Sequence, residues 1–526
     1  MSIVELSALE LVSKVKNKQI SAMEVVEAHI EQVEAVDGVS GTIGGDNDFE
    51  MDKVHSFITK TYDLAKQQAN LVDQKIAAGV DPGLMAGVPV TIKDIFCLEN
   101  TPTTAASKML SNFVAPYTAT SVQRLIDAGA LVIGKVNLDE FVFGSSNESS
   151  AYLPHPRNPW DTSKVPGGSS GGAASAVAAY ECPISLGSDT SGSIRLPAAY
   201  CGAVGLKPTY GRVSRYGLIA FGSSLDNVGP LSRNVPDAAL ALSVMAGKDD
   251  LDSTSVTLPV PDYLGEMEKD IRGLRIGLSA DYLRISVYDP KKGLTVSHDL
   301  PDKVKNEVYR SAEILAKQGA EIIENVAMPK TKYGIPAYFV ISRVEAASNL
   351  HRFDGVKYGH RTTSNYQGLT EMYQQSRAEG FGLQPKLRIL MGMYVSAAQY
   401  SARFYERALK IRTQIRQDFD TAFKQVDLLL TPSTPAPAFG IGGVFGDSIM
   451  MQYADQFLVP ANHAGLPAIS LPSGLDEDGL PLSIHFIAND FREDLLFRAG
   501  FAFERLTAEE TWRSNRPTVM KGGQVR

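Results

Sequence analysis

Residues 167–195 read GGSSGGAASAVAAYECPISLGSDTSGSIR. Two glycine-rich loops that carry serines, GGSSGG and SDTSGS, enclose a run of small residues, AASAVAAY, and an apolar run, CPISLGSD. The first run predicts a helix slim enough to lie close against a sheet, and the second predicts a buried strand. The same order stands upstream, where ATSVQRLIDAG precedes ALVIGKV, and a helical pattern from His55 to Ala78 leads through the turn AGVDPG into GVPVTIKD. Helix then strand, repeated at this spacing, predicts an α/β fold.

The two loops also carry chemistry. Glycine lets a substrate approach the backbone closely, and consecutive unencumbered N–H groups can converge on an oxyanion. Lys93, in GVPVTIKDIF, lies on an apolar, strand-like run and is expected to be partly buried. A desolvated lysine loses its charge and becomes a base. Each feature has a plain reading when taken singly: Gly and Ser form ordinary turns, and a strand-end lysine keeps its head in solvent. Together they predict a serine hydrolase or acyl-transfer site that uses lysine in place of histidine.

Two other motifs compete with this reading. GALVIGK, residues 129–135, matches most of a phosphate-binding loop, but Val136 stands where Ser or Thr is required and the glycines bracket a strand. GGSSG, residues 167–171, fits the G-x-S-x-G elbow of α/β-hydrolases, which needs an acid and then a histidine downstream. His298, His351, His360, His463 and His485 leave that open by spacing, although the preceding NPWDTSKVP reads as a loop and not as the strand an elbow follows.

Further out, Ser7 with Glu10 and Ser21 with Glu24 form capping boxes that open two N-terminal helices. GVSGTIGGDNDFE, residues 38–50, reads as a surface loop. IRGLRIGLS predicts a strand and VKNEVYRSAEILAKQG a helix before AEIIENV, and the long helix SARFYERALKIRTQIRQDFDTAFKQV ends at DLLLTPSTPAP, a strand running into a proline-rich loop. Polar, aromatic and glycine residues between 330 and 395 suggest a substrate-facing cap or a partner surface. The expected organisation is N-terminal helices with a glycine-rich insertion at 1–64, a core with the serine and lysine site at 65–245, and the remainder of the same α/β domain at 246–526.

Composition sets the outer limits. With 526 residues, 44% of them hydrophobic, the chain can bury roughly three quarters of its unfolded surface. A net charge of −8 without a long basic run argues against a nucleic-acid surface. Cys97, Cys182 and Cys201 are too few for a disulfide framework and lack the paired spacing of a zinc site. No apolar run reaches the roughly 18 residues of a membrane span, and the N-terminus is acidic where a signal peptide is basic. These features predict a soluble, cytoplasmic protein.

Lys93 in TIKD, the GGSSGG loop, and SDTSGSIR followed by CGAVGLKPTYGRVSRYG resemble the amidase signature family, from about residue 65 to 230. NLDEFVFGSSNESSAY, SLDNVGPLSR, ASNLHRFDGVKYGHR and PANHAGLPAIS extend the likeness over nearly the whole chain, to the branch of glutaminase subunits of aminoacyl-tRNA amidotransferases. The resemblance implies the amidase signature fold, a central mixed β-sheet covered by helices on both faces. It implies Ser193 as nucleophile, Ser169 as bridging serine after a cis peptide at Gly168–Ser169, and Lys93 as base. The N–H groups around Thr190, Ser191, Gly192 and Ser193 would hold the oxyanion. Arg388 in KLRILMG would pair with the α-carboxylate of L-glutamine, and Asp455 in QYADQFLVPAN with its α-ammonium; outside the resemblance both read as surface salt-bridge residues.

The resemblance further implies a heterotrimer with the B and C subunits of an amidotransferase that amidates Glu-tRNA(Gln), with Asp-tRNA(Asn) as a second candidate. ATP, Mg²⁺ and the main tRNA contacts would belong to the B subunit, leaving this chain without a cofactor or metal. The same catalytic residues would also serve a stand-alone amidase acting on another small amide, or stand unused in a scaffold subunit. The chain departs from the family pattern at Ser191, where a glycine is usual, at His463, where an apolar residue is usual, and in the segment 38–50.

Overall fold

The computed structural model describes residues 2–289, 294–444, 451 and 453–521. The strands among them are β1 (Thr42–Ile43), β2 (Phe57–Lys60), β3 (Pro89–Lys93), β4 (Leu131–Val136), β5 (Tyr152–Leu153), β6 (Ile184–Asp189), β7 (Val204–Lys207) and β8 (Asn227–Ser232), then β9 (Arg275–Gly277), β10 (Arg284–Asp289), β11 (Leu294–Asp299), β12 (Glu321–Ile323), β13 (Leu428–Pro432), β14 (Ala468–Leu475) and β15 (Pro481–Ala488). Eleven of these form one mixed sheet in the order β12-β9-β13-β15-β14-β7-β8-β6-β3-β4-β2. At its heart β6, β3 and β4 run parallel and are buried along their whole length, as their unalternating apolar runs require of strands covered on both faces.

The helices are α1 (Ala8–Lys16), α2 (Ala22–Val36), α3 (Tyr62–Ala77), α4 (Thr120–Asp127), α5 (Gly171–Ala178), α6 (Arg195–Cys201), α7 (Val235–Met245), α8 (Tyr263–Met267), α9 (Asp302–Lys317), α10 (Gly334–Leu350), α11 (Leu369–Gly380), α12 (Leu383–Ser396) and α13 (Ala398–Ala422), followed by shorter and C-terminal helices at Val459–Ala464 and Glu493–Leu506. Both capping boxes form: Ser7 accepts from the Glu10 N–H at 3.2 Å while Glu10 accepts from the Ser7 N–H at 2.7 Å, and Ser21 with Glu24 repeats the exchange. The small residues of α5 are all buried, and the helix packs on β3 and β6. Among the described residues no helix is long and apolar enough to cross a membrane.

Three readings need correction. The helix expected from His55 splits into the edge strand β2 and α3, because Phe57–Lys60 finds an antiparallel partner in β4. Gly134 lies inside β4 instead of beyond it, where a Cβ would meet the Phe57 ring at 2.4 Å. Segment 38–50 is not wholly irregular: β1 pairs with β5, and Asn47 accepts the His155 N–H at 2.8 Å, which seats the segment on the core.

Candidate active site

Lys93 ends β3 and Asp189 ends β6, so two neighbouring parallel strands bring Lys93 and the SDTSGS loop to one edge of the sheet. The carboxyl ends of parallel strands are where α/β sheets place their ligands. GGSSGG reaches the same place. The Ser170 N–H donates to the Ser193 carbonyl at 3.1 Å, tying the two serine loops together, and the Asp139 N–H donates to the Ser169 carbonyl at 3.3 Å. The Gly168–Ser169 peptide is cis.

The Lys93 ammonium is wholly buried and lies 2.7 Å from Ser169 Oγ, 2.9 Å from Ser170 Oγ and 3.1 Å from Ser188 Oγ. Burial pushes its pKa down to about 7 against the pull of Asp139, Asp189 and Asp226. The three hydroxyls are not equivalent. Ser170 donates to the Ser188 carbonyl at 3.2 Å, so its oxygen is left to accept from Lys93. A neutral amine has two N–H donors and one lone pair, and the shortest contact, to Ser169, suits the lone pair. Ser193 is buried, and its hydroxyl makes no hydrogen bond among the described residues.

The turn after β6 is held by a buried ion pair. Arg195 donates to both oxygens of Asp189, at 3.0 and 3.1 Å, and also to the Leu458 carbonyl, Asn462 Oδ1 and His485 Nε2. Burial alone would raise the Asp189 carboxyl, but Arg195 brings it down to about 2. Asp189 also accepts the Ile194 N–H at 3.2 Å. Within the turn so braced, the N–H groups of Thr190, Ser191, Gly192 and Ser193 make no hydrogen bond among the described residues. Consecutive free backbone donors beside a hydroxyl are the kind of groups that can hold an oxyanion.

Arg388 and Asp455 do not sit on the surface; they are 4% and 1% exposed. Asp455 Oδ2 accepts from Ser145 Oγ at 2.8 Å and from Ser191 Oγ at 3.1 Å, while Oδ1 is buried without a partner among the described residues, 2.8 Å from where a Gly192 Cβ would stand. Burial raises its pKa to about 7. The Arg388 guanidinium stacks 5.0 Å over Phe143, donates to Gln384, and is lowered to about 10 by burial. Among the described residues neither charge has an ion-pair partner. Ser191, out of pattern with the family, thus gives its hydroxyl to Asp455 and leaves its N–H free. His463 is also explained: its Nε2 donates to the Gly334 carbonyl at 2.9 Å and ties helix Val459–Ala464 to the start of α10.

The two competing motifs fail on geometry. Lys135 is fully buried against Asp94 at 2.6 Å and cannot face a phosphate. Among the described residues no histidine bonds Ser169 or Ser193; His485 lies between Arg195 and Thr431, and His360 bonds Glu379. Sequence reasoning missed Ser170, Ser188, Asp139 and Ser145, and on α10 Tyr338 and Arg343. The Tyr338 hydroxyl lies 3.2 Å from Thr190 Oγ1, and Arg343 is a second buried guanidinium, its pKa lowered first by burial and then by the Arg388 charge. Their signal was position: Ser170 and Ser188 lie in the two serine loops, Asp139 and Ser145 in NLDEFVFGSSNESSAY, and Tyr338 and Arg343 in the 330–395 region.

The amidase family model matches residues 50–497. A protein of Carboxydothermus hydrogenoformans, named as the A subunit of glutamyl-tRNA(Gln) amidotransferase, is 47% identical over 507 residues, 96% of this chain and 98% of that one. The crystal structure of the A subunit of glutamyl-tRNA(Gln) amidotransferase from Thermotoga maritima superposes with a TM-score of 0.73 at 33% identity, covering 96% of this chain and 95% of that one. A peptide amidase in complex with the competitive inhibitor chymostatin gives 0.78 at 28% identity, covering 98% and 99%.

Proposed function

The chain belongs to the amidase family, and from that premise we propose that it hydrolyses the side-chain amide of L-glutamine as one subunit of a tRNA-dependent amidotransferase. The observation that carries this reading is two buried charges of opposite sign, Asp455, which bonds Ser191 in the loop of Ser193, and Arg388, which stacks on Phe143 in the segment whose Asp139 bonds Ser169. Unpaired buried charges are expensive, and a free amino acid relieves both. Its α-carboxylate suits the planar fork of Arg388, and its ammonium suits the open Oδ1 of Asp455. Relatives named for glutamyl-tRNA(Gln) amidotransferase support glutamine as the amino acid and ammonia as the product passed on.

In this reading neutral Lys93 takes the proton of Ser169, Ser169 takes that of Ser193, and Ser193 Oγ attacks the amide carbon. The N–H groups of 190–193 bind the resulting oxyanion. The proton returns through the relay to nitrogen, the C–N bond breaks and ammonia leaves. Water then attacks the γ-glutamyl ester by the same relay, releasing glutamate. The B and C subunits would complete the complex, with ATP, Mg²⁺ and aminoacyl-tRNA handled mainly by the former. The three buried, free cysteines support a reducing compartment such as the cytoplasm.

Arg388→Ala tests the amino-acid pocket. Loss of one partner in a buried charge pair costs about 2–5 kcal/mol, so KM for L-glutamine should rise on the order of 100-fold with kcat changed much less. An unchanged KM would place the substrate carboxylate elsewhere.

The pH profile follows from two groups. Lys93 must be neutral to act as base and Asp455 ionised to hold an ammonium, so both work above about pH 7 and both fail below it. The kcat/KM for glutamine should therefore climb through about pH 7, on the acid side with the steepness of two protons lost. Asp455→Asn should reduce that steepness to one proton; a profile flat across this range contradicts both assignments.

A further inference from the structure

Residues 139–145, DEFVFGS, touch the Ser169 loop and both charged groups of the proposed amino-acid pocket. The Asp139 N–H donates to the Ser169 carbonyl at 3.3 Å, the Phe143 ring carries the Arg388 guanidinium at 5.0 Å, and Ser145 Oγ donates to Asp455 at 2.8 Å. Between these contacts Glu140, 1% exposed, points its carboxylate at another element. It accepts the Gly382 N–H at 3.0 and 3.1 Å with its two oxygens, and Ser107 Oγ at 2.5 Å. Gly382 immediately precedes α12, the helix that carries Arg388. A carboxylate at that end satisfies a backbone donor that the helix cannot and complements the helix dipole.

The fit is close on both sides. A Cβ on Gly382 would meet Glu140 Oε2 at 2.1 Å, so only glycine lets the carboxylate lie across the helix start. Ser107 also donates to the Gly380 carbonyl at 3.3 Å, and Phe381 packs on Phe141 with ring centroids 5.5 Å apart. Phe141 and Val142, directly after Glu140, hold left-handed φ angles of 49° and 70°. Side chains of this kind keep such a conformation only where their surroundings dictate it, and it is found at sites that must be held in register.

We infer that Glu140 is a positioning residue for substrate selection: by fixing the first turn of α12 to the segment that braces the Ser169 loop, it sets where the Arg388 guanidinium meets the substrate α-carboxylate. This rests on the glutamine reading above and adds to it a group that never touches substrate. The influence runs through position and not through charge, since the groups that raise the Arg388 pKa against burial are Tyr338 and Asp139. Glu140 and Asp139, adjacent in sequence, thereby divide the work, one holding the substrate helix and the other the relay loop.

The test compares L-glutamine with 4-aminobutanamide, which is glutamine without its α-carboxylate, in the complete complex. Burial raises the Glu140 carboxyl to about 7, so in an assay run above that pH Glu140→Gln keeps the shape and one acceptor oxygen but loses the charge at the helix end. A hydrogen bond to a charged group is worth about 1.5–3 kcal/mol, so kcat/KM for glutamine should fall at least about tenfold, chiefly through KM, while the value for 4-aminobutanamide stays within about twofold. Thermal melting of the variant separates this from a loss of fold, and Glu140→Asp should recover part of the glutamine preference. Equal losses on both amides, or none on either, overturn the inference. If Arg388→Ala shows the carboxylate-dependent loss and Glu140→Gln does not, the inference fails alone; if neither shows it, the glutamine pocket fails with it.

Discussion

Ser193→Ala is expected to abolish amide hydrolysis, with kcat reduced on the order of 10⁴-fold or more, while L-glutamine still binds. Removing the nucleophile of a relay costs about as much as removing the whole relay, because its members act as a unit. The surrounding structure should tolerate the change. The Ser193 hydroxyl makes no hydrogen bond among the described residues, and the contact that joins the two loops runs from the Ser170 N–H to the Ser193 backbone carbonyl, which alanine keeps. Glutamine affinity, measured by calorimetry on the inactive variant, should stay within a few-fold of the wild-type value, since Arg388 and Asp455 are untouched. Residual turnover above about one per cent would show that another hydroxyl attacks, and Ser170, 2.9 Å from Lys93, would be the next to test.

Lys93→Ala should lower kcat about 10³- to 10⁴-fold, the upper part of what a general base supplies. Lys93→Arg is the sharper variant. Guanidinium keeps the positive charge and the donors but does not give up its proton in a protein, so it should be as inactive as alanine if Lys93 works as a base. If Lys93 worked only by electrostatic support, the arginine variant would keep much of the activity. Histidine variants that fold should remain active, because no histidine bonds either relay serine among the described residues. A histidine variant as inactive as Lys93→Ala would restore a Ser-His reading of GGSSG.

The groups that meet at the ends of β3 and β6, and the first helix caps, were legible because each announces itself locally. A glycine-serine loop implies an exposed backbone, a lysine on an unbroken apolar strand implies desolvation, and Ser7 with Glu10 implies a cap at a spacing of three. What surrounds them was legible only in part, because it depends on chain segments far away in sequence. Arg195 reads as the end of a loop motif, yet its partners include Leu458, Asn462 and His485. Asp455 and Arg388 read as surface charges outside the family resemblance, because burial of a single charge leaves no trace in its neighbours. Strand β2 reads as part of a helix: four residues beside a long helical pattern carry too little periodicity, and pairing with β4 decides the matter. Glu140 gave no sign of its role, which exists only once Gly382 lies against it. Ser191 stands where the family usually has glycine, and only the fold shows that its hydroxyl donates to Asp455.

In the proposed function this chain releases ammonia from glutamine for a partner. The direct measurement is ammonia and glutamate formed from L-glutamine by the purified chain, alone and then with co-expressed B and C subunits, ATP, Mg²⁺ and Glu-tRNA(Gln). The expected result is weak hydrolysis by the chain alone, a sharp rise in the full complex, one glutamate per ammonia consumed or released, and loss of all of it with Ser193→Ala. High activity on simple amides that responds neither to partners nor to tRNA, with glutamine a poor substrate throughout, would contradict that claim and identify a stand-alone amidase.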